Sequence, residues 1–151
     1  MTSSKPSEPE GNALLFESLV ICDDIRSESN GKLILVGVYS DVIQVAKLPL
    51  QMRSLALGIK ARAMAVGRMR FSVVVADPQG NTLLDAGGEL DYQGEIGRVI
   101  WLPLVLGGAL LPTEGPYSVR ISLADGPTIH ENFIVRKAAL PEVRVSETKA
   151  N

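Results

Sequence analysis

The 151 residues suit one domain with short tails, and 46% hydrophobic with 21% charged residues, 14 Gly and 9 Pro is an ordinary globular composition that excludes disorder throughout. Fifteen Lys+Arg against 17 Asp+Glu leaves a formal net charge of -2, which lacks the basic footprint of a general nucleic-acid binder. A single cysteine excludes an intrachain disulfide and calls for no oxidising compartment.

Residues 1–12 carry Pro6 and Pro9 and no apolar pattern, so they read as a tail, and they lack the basic start and unbroken apolar run of a secretory signal. The domain is expected over 13–140, with a polar tail over 141–151. Ala13 to Cys22 reads as a strand, followed by a polar bend through Asp23 to Asn30. Asn30-Gly31 is a hairpin signal, because both residues tolerate positive φ. Leu33 to Tyr39 returns, apolar on both faces and therefore expected at a sheet centre. Val42 to Val45 is a short strand, and Pro49 marks a connection after it.

Arg53 to Ala63 and Arg68 to Ala76 alternate cleanly and are expected to pair as a hairpin, with Ile59 facing Val73 and Ala61 facing Phe71. Asp77-Pro78-Gln79-Gly80-Asn81 is a turn by composition. Thr82 to Asp85 and Glu89 to Tyr92 follow as strands, with Gly87-Gly88 between them and Gly107-Gly108 later in the chain both reading as bulges or bends. Val99 to Leu106 is a strand apolar in both phases, and the longest uncharged apolar stretch, Val99 to Pro112, is too short for a helical membrane span and carries Pro103 and two glycines. Tyr117 to Leu123 places Tyr117, Val119, Ile121 and Leu123 inward, and Thr128 to Val135 returns after the Asp125-Gly126-Pro127 turn.

Short Val-, Ile- and Leu-rich runs separated by turns predict an all-β chain, an antiparallel immunoglobulin-like or C2-like sandwich of about eight or nine strands. Its core is expected to contain Leu35, Val36, Leu57, Ile59, Phe71, Val73, Val119, Ile121 and Phe133. Glu114-Gly115-Pro116-Tyr117 resembles the tyrosine corner of Greek-key sandwiches, with Thr113 standing near where an acidic residue is usual. The block Leu19-Val20-Ile21-Cys22-Asp23-Asp24-Ile25-Arg26, followed by Gly31 to Asp41, resembles a bacterial family of small proteins catalogued as a domain of unknown function. That resemblance covers roughly Ala13 to Arg136. It implies a bacterial β-sandwich and assigns no activity, ligand or catalytic residue.

The chemistry-bearing residues are few. A nucleophilic triad would have to run through His130, the lone histidine, which lies out of phase with Ile129 and Phe133 and so points to solvent. Cys22 shares its phase with Val20 and reads as a buried, inert thiol. Neither the zinc spacings nor a phosphate-loop glycine pattern occurs. Asp23 and Asp24, with Glu28 and Asp41 nearby, are the best carboxylate cluster; C2-type sandwiches hold calcium this way, but paired aspartates more often satisfy backbone donors in a turn. No cofactor is expected.

Lys60, Arg62, Arg68 and Arg70 fall in a stretch, Val42 to Ala76, without acidic residues, and the hairpin register sets Arg62 against Arg70. Their expected partners are Asp85, Glu89, Asp91 and Glu95; an anionic partner is the alternative. Val99, Trp101 and Val105 occupy one phase of their strand, Ile100, Leu102, Leu104 and Leu106 the other, so one face needs a cover, either internal, such as the tail near Leu140, or another chain. Trp101, Leu102, Leu104 and Leu106 are therefore candidate interface residues. The expected protein is cytoplasmic and non-catalytic, working through a protein partner or a homo-oligomer without specific nucleic acid or a membrane span. A ligand- or ion-binding sandwich is the alternative, and an enzyme comes last.

Overall fold

Period-two alternation dominates from Leu14 onward, and it builds strands throughout the computed structural model, which describes residues 13–124, 126–138 and 144–146. Most of both expected tails, Leu140 and Asp125 of the last turn lie outside the described residues. In chain order the segments are β1 (Leu14–Ser27), β2 (Leu33–Tyr39), β3 (Val42–Val45), β4 (Leu50–Gln51), β5 (Leu55–Ala63), β6 (Gly67–Ala76), β7 (Thr82–Tyr92), β8 (Val99–Leu106), β9 (Leu110–Leu111), β10 (Gly115–Leu123) and β11 (Thr128–Lys137). One sheet has the order β2-β1-β5-β8 and the second β3-β11-β10-β6-β7, while β4 and β9 pair separately. Nine strands thus form two facing sheets, as an all-β sandwich requires. Every pairing is antiparallel except β3 with β11, which is parallel.

The main core lies between the sheets. Leu55, Leu57 and Ile59 of β5 meet Val73 and Val75 of β6, Val119 and Ile121 of β10, and Phe133 and Val135 of β11, all essentially inaccessible to water. Tyr117 stacks on Phe133 with ring centroids 5.2 Å apart. Its hydroxyl donates to the Thr113 carbonyl at 2.6 Å and accepts from the Thr113 amide at 3.2 Å, which satisfies the one polar atom of a buried ring. The expected return bond of a tyrosine corner is therefore present without the usual acidic residue.

Four expectations fail. The β5–β6 hairpin does not exist: β5 lies between β1 and β8, and β6 lies between β10 and β7 in the other sheet. The alternation of β5 is equally good for either partner, but Ala56 and Gly58 on its second face are buried as well, and a strand covered on both faces belongs inside a sheet. Arg62 consequently never faces Arg70. Second, β2 is an edge rather than a centre, and Ile34, Val36 and Val38 are exposed, so Val36 leaves the core list. Third, β1 runs through Asp23 and Asp24 to Ser27 instead of bending, and the hairpin closes over Glu28 to Lys32 with Gly31 at φ +82°. The glycines of the β7 region also differ from expectation, since Gly87 and Gly88 continue one unbroken strand and the irregularity of that ladder falls at Val75/Ala76.

The Asp77 turn is as read. Burial disfavours the Asp77 carboxylate, but donors from the Asn81 side chain and from the backbone of Asn81, Gln79 and Gly80 outweigh it and hold its pKa below the usual carboxylate value. A folded-state pKa below the unfolded one contributes stability above the unfolded value, and that stability is lost as pH falls through the folded one. Asp77→Asn should therefore unfold at lower urea than the parent at pH 7, and the gap should close as pH drops below about 4. A gap that stays constant down to pH 2 would count against this role.

Candidate functional site

The outer face of the four-stranded sheet is built by an alternation that changes phase. Tyr39 packs against the main core, yet Leu35, an even number of residues earlier, lies on the opposite side with Cys22 and Ala56. Strict alternation forbids this. The switch falls at Gly37, whose φ of +65° suits glycine, and the register leaves Asp23 of β1 directly across from it. A Cβ at position 37 would stand 2.2 Å from the Asp23 carboxylate, so the aspartate occupies the space that the glycine leaves. Asp23 also accepts a hydrogen bond from the Tyr39 hydroxyl, and burial together with that acceptor pushes the phenol up to about 12. The same phase change on β1 carries Ile25 to the outer side, whereas Ile21 belongs to the main core.

Small residues then make a shallow trough on this face. Cys22 pairs with Ala56 across the ladder and both are fully buried, although they point away from the main core. Gly58 sits between the Leu35, Ile25 and Trp101 side chains, with Leu35 leaning in from β2 and Trp101 from β8. An internal cover thus exists, but it is partial. Trp101 remains 40% exposed, Val105 53% and Leu15 50%. Trp101 stands across from Lys60 and Pro103 from Gly58, with β8 at the sheet edge, where a residue lacking an N–H is tolerated.

Of the four interface candidates, Trp101 alone lies on this face. Leu102 and Leu104 pack against the main core and Leu106 is buried. The true companions of Trp101 are Val99, Pro103 and Val105, in the phase that the alternation assigned with it.

The four basic candidates are divided between the sheets. Arg62 places Nη2 3.0 Å and Lys60 places Nζ 3.7 Å from the Glu17 carboxylate, while Arg62 Nη1 donates to the Gly97 carbonyl at 2.7 Å. Glu17 falls at the β1 irregularity between Phe16 and Ser18, which sequence alternation could not reveal. Arg68 lies 3.7 Å from Glu89, and Arg70 stands across from Glu89 in the ladder. The acidic segment after β6 therefore faces one half of the basic stretch and Glu17 the other half. These solvent-exposed pairs are worth about 0 to 1 kcal/mol each.

The carboxylate candidates do not converge. Asp24 accepts from the Ile25 amide at 2.9 Å and from Arg26 Nε at 3.1 Å, Asp23 is engaged with Tyr39, and Asp41 accepts from the Ser40 hydroxyl at 3.3 Å. Among the described residues, no group of three His, Cys, Asp or Glu side chains could hold a metal ion. His130 is exposed on β11. The Cys22 thiol donates weakly towards the Asp24 and Ala56 carbonyls, and burial, then the Asp23 charge, push its pKa up, which is the setting of an inert thiol. No helix among the described residues is long and apolar enough to cross a membrane.

Between the sheets, a partly open cavity of about 210 Å³ reaches the unpaired edges β7 and β8. Its wall includes Phe71, Leu90, Leu102 and Leu104, and Glu89 is its one charged residue.

Solved structures resemble the chain only distantly. A Listeria innocua beta-glucosidase in complex with isofagomine matches at 10% identity and a TM-score of 0.48, over 85% of this chain and 16% of that one. A Pseudomonas fluorescens alkylpurine DNA glycosylase, AlkC, bound to DNA containing an abasic site analogue matches at 9% identity and a TM-score of 0.41, over 83% of this chain and 31% of that one. The chain thus spans a small part of either protein, and likenesses at this level carry no argument about activity. None of the curated proteins matches the sequence. The model of a family of unknown function, DUF6941, matches residues 17–136, which include the Asp23–Gly37 phase switch, the Trp101 face and the Tyr117 corner, and the chain belongs to that family.

Proposed function

We propose that the protein is a non-catalytic assembly module that works through the outer face of the four-stranded sheet, with a second copy of the chain as its partner. The observation that carries this reading is the half-exposed Trp101 flanked by Val99, Pro103 and Val105 on an edge strand, beside a trough floored by Ala56 and Gly58. Large aromatic side chains are the usual anchors of an interface, and an apolar patch on a partly covered sheet face favours burial against another surface.

An apolar patch favours a second copy, because a two-fold interface must be self-complementary and an apolar surface complements itself. At one end of the face Lys60 and Arg62 outnumber Glu17. A two-fold through the Pro103 and Val105 side of the Trp101 patch, away from this basic end, keeps the Lys60 and Arg62 groups of the two copies apart. The alternative reading, a ligand- or ion-binding sandwich, has no converging polar groups behind it among the described residues, and Glu89, the one charged residue of the cavity wall, is engaged with Arg68 and stands across from Arg70. A cytoplasmic, reducing setting suits the single buried thiol.

Sedimentation velocity tests the proposal. The parent chain should sediment as a dimer at tens of micromolar, and Trp101→Asp as a folded monomer with an unchanged circular dichroism spectrum. A parent chain that remains monomeric at that concentration overturns it.

A further inference from the structure

From the cavity between β7 and β8 we infer a second, separate site, one that takes a neutral, hydrocarbon-like small molecule about the size of a substituted benzene ring. Protein interiors pack densely, and voids larger than a water molecule are few. This one holds about 210 Å³, somewhat more than an apolar cavity of roughly 150 Å³ that stays dry and accepts benzene. It is not a flaw at the end of a strand. Its wall draws on both sheets, with Leu14, Phe16 and Ile59 from one side and Phe71, Ile121 and Leu123 from the other.

The sequence keeps the space open. Phe71 pairs with Gly88 across the β6–β7 ladder, and a Cβ at position 88 would lie 2.3 Å from the far edge of the Phe71 ring. The ring therefore rests back over the glycine, covering backbone that has no side chain of its own, in place of swinging towards Leu102 and Leu104. Neither Phe71 nor Leu102 is fully buried, and the partly open cavity is bordered by residues of both sheet edges, Leu90 of β7 and Leu102 and Leu104 of β8. Those edges are not hydrogen-bonded to each other, so a ligand can enter between them without breaking a ladder.

The wall also sets the chemistry of the occupant. Glu89 alternates outward with Arg70 across from it and has Arg68 3.7 Å away, so its charge is answered outside the cavity. A charged or strongly hydrogen-bonding ligand would lose its hydration and find no partner inside. An apolar one replaces void with van der Waals contact. Pro103, which shares the phase of Trp101, borders the site at the β8 edge, but Trp101, Val99 and Val105 are not part of its wall, so the site does not depend on self-association.

Titration with n-propylbenzene, followed by methyl NMR, tests the inference. Saturable shifts are expected at Leu14, Ile59, Leu102, Leu104 and Leu123, with a dissociation constant on the order of 0.1 mM. Leu102→Trp should fill the cavity and weaken binding at least tenfold, and His130→Ala, far out on β11, should leave it unchanged. Leu90→Phe serves as a second filling variant should Leu102→Trp not fold. The absence of saturable binding, shifts centred on other residues, or full affinity in a folded filling variant would overturn the site.

Discussion

Phe133→Ala is expected to lower the unfolding free energy by about 3 to 5 kcal/mol, because it empties a site at the centre of the main core. Phe133 is 1% exposed, stacks on Tyr117 and packs in the cluster that joins both sheets. Removing its ring deletes the transfer free energy of the side chain and leaves a cavity that rigid strands on both sides cannot close. It also removes the support that holds the Tyr117 hydroxyl on Thr113. Phe71→Ala should cost less, about 1 to 2 kcal/mol, since Phe71 is only partly buried and already borders empty space. Urea denaturation of the two variants decides the order. Equal losses, or a loss below about 1 kcal/mol at Phe133, would mean that the inner phase of β11 is misassigned.

Gly37→Ala should destabilise the chain by about 1 to 3 kcal/mol, a large effect for adding one methyl group. Two costs coincide there. An L-residue is strained at φ +65°, and the new Cβ would collide with the Asp23 carboxylate at 2.2 Å. If the aspartate moves, it gives up the Tyr39 hydroxyl, and the phase switch that brings Ile25 and Leu35 over Ala56 loses its pivot. Gly58→Ala is the control, because its φ is ordinary and its Cβ would make van der Waals contact with Leu35, Trp101 and Ile25 at 3.4 to 3.7 Å. That substitution is expected to be neutral or to stabilise by a few tenths of a kcal/mol through the unfolded state. Comparable losses in both variants would remove Gly37 from its special role.

Much of the fold is readable in the residues themselves. Inner phases such as Val73 and Val75, or Tyr117, Val119 and Ile121, follow from alternation, since each strand meets the core on one side. Pairing is harder. Alternation says which face a strand buries but not which neighbour it takes, so adjacent β5 and β6 look like a hairpin although they lie in different sheets. The signal for the true arrangement is Ala56 and Gly58, small residues whose burial on the second face makes β5 central. The proposed face is half legible. Trp101 stands out because neither phase of β8 is polar, but Leu102, Leu104 and Leu106 share the candidate list only because sequence does not say which phase faces inward. Asp23 and Asp24 resemble a strand end by composition. Only the pairing of Asp23 with a positive-φ glycine reveals them as the point where a strand changes face.

Trp101 is the sole tryptophan of the chain, so its fluorescence reports directly on the proposed interface. Acrylamide quenching of the parent protein should fall markedly between about 1 µM and 100 µM chain, with a blue shift of emission, as the 40% exposed indole becomes covered by the second copy. Val105→Asp should hold quenching at its dilute-solution value throughout the range. Quenching that is independent of concentration in the parent, with the indole accessible at 100 µM, would contradict assembly through this face.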